Sequence, residues 1–320
     1  EDQLSLPTDR AMRIMGELGG DVVLLGAGGK MGPTIARMAR RALDRAGRPW
    51  RVLAVSRFSD PAVEAKLKAW GIDTLRGDLL DPAFLGRVPE APNVISMLGM
   101  KFGTTGQEPL TWAQNVFLPG LVARKFHKSR IVAFSTGNVY GLAPVVSGGS
   151  HETDPLAPVG EYSLSALGRE RIYDYVGRAE GTAVALLRLN YACELRYGVL
   201  VDLALKVFRG EPIDLAMSCF NTIWQGDANA RALEAFALVS SPARVLNITG
   251  PETLSVQRVA REFAARLGRE PVFQGEESSD AVLSNATECQ RLFGYPRVPA
   301  GRLMDWIADW IERGGILWNK

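Results

Sequence analysis

Val22-Val23-Leu24-Leu25-Gly26-Ala27-Gly28-Gly29-Lys30-Met31-Gly32 decides the fold. Four consecutive apolar residues between Asp21 and Gly26 have the length and side chains of a short strand buried on both faces. The chain then passes through a glycine-rich turn into a helix predicted from about Met31 to Ala46, with Ile35 and Met38 on its inner face. Glycines at 26, 29 and 32 have a mechanical use there. They permit a tight turn, close backbone approach to a diphosphate and close packing of helix on strand, while the helix N-terminus offers free N–H donors to an anion. Gly26, Gly28, Gly29, Lys30, Met31 and Gly32 are therefore the candidate dinucleotide-binding turn.

Strands are predicted at Arg51–Ser56, Asp73–Arg76, Asn93–Met97, Ile131–Ser135 and Ala183–Leu189, with helices near 61–70, 111–126 and 162–176 between them. This alternation gives an α/β fold, a Rossmann-like doubly wound parallel sheet. Beyond residue 189 the alternation loosens, and a smaller C-terminal substrate lobe is expected, with helices near 255–267 and 301–313 and a strand at Val245–Thr249 returning to the main sheet. The expected division is an N-terminal helical extension over 1–20, a dinucleotide-binding domain over 21–188 with its last strand at about 244–250, and an interleaved substrate lobe over most of 189–320.

Composition narrows the class. The 320 residues are enough for one large domain or a nucleotide-binding domain with a cap, at ~100–200 residues each. Lys plus Arg number 37 against 35 for Asp plus Glu, and they are scattered, so neither nucleic acid nor an anionic membrane is an expected partner. No apolar run reaches the ~18 residues of a membrane helix. Three cysteines without CxxC spacing and two histidines in separate segments argue against a disulfide framework, a metal site or a Ser/His/Asp hydrolase, and suit the cytoplasm. The sequence opens on Glu1, which leaves a preceding segment open.

Strand two ends in Ser56-Arg57, where an acidic residue would accept from the adenosine ribose of NAD. A hydroxyl and a guanidinium instead suit a 2′-phosphate, with Lys30 adding charge, so NADP is the preferred cofactor and NAD the second choice. Solvated surface cations are the plainer alternative for Arg57 and Lys30. Asp78, in Gly77-Asp78-Leu79, is a candidate for the adenine amino group or an ordinary turn aspartate.

These features together resemble the extended short-chain dehydrogenase/reductase superfamily of nucleotide-sugar epimerases, dehydratases and related reductases. The resemblance rests on the glycine turn, Gly77-Asp78-Leu79, Asn115, Phe134-Ser135-Thr136-Gly137-Asn138-Val139-Tyr140-Gly141, Glu152 through Pro158 leading into Tyr162, Arg188-Leu189-Asn190-Tyr191, Gly250-Pro251-Glu252 and Leu292-Phe293-Gly294. It implies Tyr162 as general acid/base and Thr136 as the hydroxyl that binds the reacting oxygen. It also implies Leu79 and Leu98 beside the cofactor, Lys101 near nicotinamide and substrate or a solvated loop lysine, Asn190 toward the substrate or a structural amide, and Asp227 as a helix cap; Glu194 and Arg196, which follow Asn190, either reach the substrate or form an ordinary surface salt bridge. A sugar-like small molecule and a homodimer through the helices at 111–126 and 162–176 are the implied partners.

Two departures matter. Where this superfamily has a lysine four residues after the tyrosine, this chain has Ala166. A tyrosine with its ordinary pKa of ~10 is about one part in a thousand ionised at neutral pH, so losing the cation costs ~4 kcal/mol of phenolate stabilisation. Arg169 lies on the same helical face but ~10 Å further along the axis, and is expected at the surface or in a salt bridge. Where the dehydratase branch has two acids, this chain has Gly137 and Asn138, which disfavours 4,6-dehydration. The expected function is an NAD(P)-dependent oxidoreductase or epimerase; the alternative is a dinucleotide-binding sensor or scaffold that has lost its chemistry.

Overall fold

The structure, a computed structural model, describes residues 1–101 and 103–318. Its central sheet has seven strands in the order β12-β7-β5-β4-β1-β2-β3. These are β1 Val22–Leu25, β2 Val52–Ser56, β3 Asp73–Arg76, β4 Asn93–Ser96, β5 Arg130–Thr136, β7 Val184–Leu189 and β12 Arg244–Ile248. Strand β1 pairs in parallel with both β2 and β4, and β4 with β5. Chain order therefore reverses between β1 and β4, and a sheet of this kind binds ligands in the crevice beyond the carboxyl ends of the strands at that point.

The helices follow their apolar spacing. In α2, Gly32–Arg45, the buried face includes Ile35, Ala36, Met38, Ala39, Ala42 and Leu43. Asp60 and Asp81 each cap a helix that begins with proline, α3 Pro61–Ala69 and α4 Pro82–Arg87, by accepting from a backbone N–H two residues on. The long helix α7, Gly160–Glu180, ends at Gly181 in the left-handed conformation. One helix departs from its expected form. Residues 108–125 make α5 Glu108–Trp112, a π-helical turn Ala113–Phe117 and α6 Leu118–Lys125, and the widened turn carries Asn115 to a fully buried position.

The chain divides into two compact units. The first holds 1–136, 159–188 and 229–246, and the second 137–158, 189–228 and 247–320. The N-terminal helix α1, Asp9–Glu17, belongs to the first unit and is capped by Thr8. Segment 137–158, expected in the dinucleotide-binding domain, packs instead with the second unit. Its strand β6, Ala143–Pro144, pairs with Asp280–Ala281, and Glu152 and Ser150 accept from the backbone and side-chain nitrogens of Asn247. The second unit also contains the helices Val199–Arg209, Val256–Leu267, Thr287–Phe293 and Ala300–Glu312. Among the described residues, no helix is long and apolar enough to cross a membrane.

Within the first unit, the extension is held by buried polar bonds. Asn229 donates 3.0 Å bonds to Leu4 O and to Thr34 Oγ1. Replacing a buried donor leaves its acceptors unsatisfied, at a cost of about 1–3 kcal/mol. Asn229→Ala is therefore expected to lower unfolding free energy by that amount in urea titration and to speed amide exchange over residues 4–18.

Candidate active site

The turn after β1 separates structural glycines from one that the fold leaves open. A Cβ at Gly32 would stand 2.3 Å from Ala27 O, so only glycine lets the helix start this close to the strand. A Cβ at Gly28 would stand 2.6 Å from Ser56 Oγ, which brings strand-two Ser56 against the turn. At Gly29 nothing lies nearer than 3.9 Å, and its φ is not in the left-handed range. That open, exposed backbone is where a ligand can come close, which fits a diphosphate over the turn.

The other cofactor candidates from the first unit sit as follows. Arg57 is exposed and has no partner among the described residues. Phe58 behind it is buried with φ +44, so the backbone bends at once after Arg57. One carboxylate oxygen of Asp78 accepts from Leu80 N at 3.0 Å, closing a local turn. Leu79 and Leu98 are buried in the core cluster that also contains Val23 and Leu25, while Lys30 and Met31 are half-buried. Lys101 is exposed on the loop after β4.

Tyr162 and Thr136 come together: the Thr136 side chain is hydrogen-bonded to the phenol. Burial pushes the Tyr162 pKa up, opposed by the charge of Arg169 and by the Thr136 bond, so the phenol holds its proton at neutral pH. Below it on the same helical face, Tyr173 donates to Ser96 Oγ at 2.8 Å, and burial pushes its pKa up to about 12.

Arg169 is not at the surface, and among the described residues it forms no salt bridge. It is buried at 6% exposure and donates from Nη1 to Phe134 O at 2.8 Å and from Nη2 to Asn115 Oδ1 at 3.0 Å, with a longer Nε contact to Asn115 O at 3.4 Å. Axial rise alone misplaced it. Long helical side chains lean toward the helix N-terminus, which returns the guanidinium toward Tyr162 two turns earlier. That lean, together with the seven-residue spacing, is the sequence signal for this residue. Asn115 completes the arrangement by accepting from Met100 N at 2.6 Å and donating to Met100 O at 3.1 Å and Ser165 Oγ at 2.8 Å. Gly99, with φ +143, leaves room for it: a Cβ there would stand 2.3 Å from Arg169 Nη2. Nothing in the sequence around Gly99 or Asn115 announces this contact.

In the second unit the expected substrate residues are engaged internally. Asn190 is buried and donates to Asn221 Oδ1 at 2.7 Å and Val282 O at 3.3 Å. Arg196 pairs with buried Glu194 at 2.6 Å and stacks over Trp318, 3.7 Å from the ring centroid. Asp227 does not cap a helix. It lies inside the first turn of α9, Gln225–Glu234, and takes Arg297 Nε at 2.8 Å and Val298 N at 3.1 Å.

Residues 22–193 match the NAD dependent epimerase/dehydratase family. The chain belongs to that family. Among solved structures it is similar to MoeE5 in complex with UDP-glucose and NAD, at 22% identity and TM-score 0.73 over 92% of this chain and 99% of that one. It is similar to UDP-glucose 4-epimerase with UDP-glucose from Thermotoga maritima, at 16% identity and TM-score 0.73 over 92% and 99%. It is also similar to dTDP-glucose 4,6-dehydratase from Bacillus anthracis in complex with NAD, at 14% identity and TM-score 0.75 over 92% and 97%. At these identities the likeness establishes the fold. No curated protein matches the sequence.

The glycine geometry separates fold from ligand. Gly32→Ala is expected to lose about 1–3 kcal/mol, because backbone must move to admit the methyl group. Gly29→Ala is expected to stay within about 0.5 kcal/mol of the wild type in thermal unfolding.

Proposed function

We propose that this protein is an NAD(P)-dependent epimerase or oxidoreductase acting on a sugar, nucleotide-sugar or related hydroxy/carbonyl compound. The observation that carries this is the Tyr162–Thr136 pair, placed where β5 ends, on the same edge of the parallel sheet as the glycine turn after β1. Support for a nicotinamide dinucleotide comes from the open backbone at Gly29 and from the family. Support for a sugar-linked substrate comes from MoeE5 and the T. maritima epimerase, both solved with UDP-glucose.

Gly26, Gly28, Gly29 and the first N–H groups of α2 would hold the diphosphate, Asp78 would face the adenine, and Arg57 the ribose end of the adenosine. When bound, the nicotinamide ring accepts or donates hydride. Thr136 orients the reacting oxygen. Tyr162 gives a proton to that oxygen when a carbonyl is reduced, and takes it back in the reverse direction. A phenol kept neutral by burial is ready to act as acid at neutral pH, whereas oxidation of an alcohol requires it to lose its proton. Gly137 and Asn138 bring no carboxylate to the place where a dehydrating member has acids, so epimerisation and reduction are preferred to 4,6-dehydration.

NADP is the favoured cofactor because Arg57 is exposed and Ser56 replaces an acidic residue, although MoeE5 and the B. anthracis dehydratase hold NAD. In fluorescence titrations with NADPH and NADH, Arg57→Glu is expected to weaken NADPH about ten- to a hundredfold and to spare NADH. In a screen of aldoses, ketoses and nucleotide sugars, Tyr162→Phe is expected to lose about 10²–10⁴ of kcat/KM. Cofactor binding with no turnover of any compound in that screen would favour the second reading, a dinucleotide sensor, to which the buried Ala166 points.

A homodimer is proposed through the first unit. Trp112, Phe117, Leu164 and Tyr175 are large and exposed on α5, the π turn and α7. Phe117→Glu is expected to sediment as a monomer where the wild type sediments as a dimer.

A further inference from the structure

We propose that Arg169 is the positioning cation of the Tyr162 phenol, doing from seven residues along the helix what the uncharged side chain at 166 cannot. The inference rests on the assignment of Tyr162 as the proton-transfer group.

Three observations carry it. Ala166 is fully buried and brings no charge, so a cation for Tyr162 must come from elsewhere. Arg169 is buried, and its bonds go to neutral acceptors, Phe134 O and the Asn115 amide and backbone oxygens. Among the described residues, no carboxylate pairs with it. Its neighbour Glu170 is bound bidentately by Arg188 at 2.7 and 3.0 Å and also accepts from Ser135 Oγ. A buried guanidinium with no directly bonded carboxylate is costly to keep, and the Glu170 carboxylate that acts on it is already paired with Arg188, which leaves it little to offset the field. The phenol of Tyr162 is exposed to that field, as are the phenol of Tyr173 and the carboxylate of Glu170; of these, Tyr162 is the one that Thr136 also bonds.

The guanidinium is also fixed in place. Gly99 admits it, and the π turn aims Asn115 at it. Because its donors are committed to Phe134 and Asn115, Arg169 acts through Tyr162 and is assigned no contact with substrate or cofactor. The other group on the phenol is Thr136 from β5, which is hydrogen-bonded to it, while Tyr173, which donates to Ser96, and Glu170, which is paired with Arg188, face the guanidinium from further along α7. Lys101 on the β4 loop is the competing cation.

The test titrates position 162 directly, without substrate or cofactor. A ring-fluorinated tyrosine, more acidic than tyrosine, is placed at 162 and followed by fluorine NMR against pH. Arg169 is replaced by citrulline, its uncharged isostere, and separately by glutamine and lysine. Citrulline and Arg169→Gln are expected to raise the phenolate midpoint by about 1–3 pH units, the range for removing an adjacent opposite charge. Arg169→Lys is expected to hold the midpoint near wild type even where it lowers Tm, and Ala166→Lys added to Arg169→Gln is expected to bring the midpoint back down. An unmoved midpoint in the citrulline protein, or a midpoint that moves with Lys101→Gln instead, overturns the proposal. A structural role alone would move Tm and leave the midpoint in place. Failure of the Tyr162 assignment is visible separately, as full turnover in Tyr162→Phe.

Discussion

A guanidinium removed from water must have its donors satisfied or the fold loses several kcal/mol, and where buried Arg188 and Arg231 are paired with glutamates, Arg169 meets that requirement with neutral acceptors. Its acceptors belong to different elements: Phe134 O on β5 and Asn115 in the π turn, with Gly99 after β4 leaving space. Each must be in register for the charge to be solvated by the protein. The π turn has a physical reason on this account. It brings the Asn115 amide inward, where the same side chain bonds both Met100 backbone groups and Ser165 of α7. The loop after β4, the helix after it and the helix carrying Tyr162 are thereby tied at one buried amide.

Much of the frame was legible before any coordinates. Runs such as Val22–Leu25 and Asp73–Arg76 keep their predicted limits because short parallel strands between turn residues have little freedom of register. The resemblance puts Tyr162 and Thr136 forward separately, and their hydrogen bond to each other is a finding of the structure. Other features lacked a local signal. Helix α4 is six residues long, too short for its periodicity to stand out, and the helix at Val199–Arg209 lies where glycine and proline are interspersed. The placement of 137–158 with the second unit depends on Asn247 and on the partner strand at 280–281, more than ninety residues away in the chain. Arg169 was readable in principle, since spacing placed it on the right face, but axial distance was weighed without the backward lean of helical side chains.

Asn190 and Arg196 show what a motif position leaves open. The amide of Asn190 bonds Asn221, and Arg196 forms the salt bridge with Glu194 that the sequence leaves as the alternative and stacks on Trp318. Position in a motif fixes the backbone more firmly than it fixes what a side chain touches. The glycine turn is of another kind: the binding proposed for it would be made by the backbone itself, so the conformation that defines the motif would also be the binding surface.

The sign of the Tyr162 shift bears on direction. Burial raises the pKa while Arg169 and Thr136 lower it, and burial dominates. The folded protein therefore holds the phenol proton to higher pH than an exposed tyrosine would. On the proposed assignment, donation to a carbonyl oxygen would proceed from the neutral phenol, whereas abstraction from an alcohol would first have to overcome the cost of a buried phenolate. A lysine at 166 would set a charge one turn along the helix from Tyr162. In its place the charge comes from Arg169, whose donors are held by neutral acceptors, and it offsets the effect of burial only in part. On the proposed assignment, that balance would favour proton donation over alcohol oxidation at neutral pH.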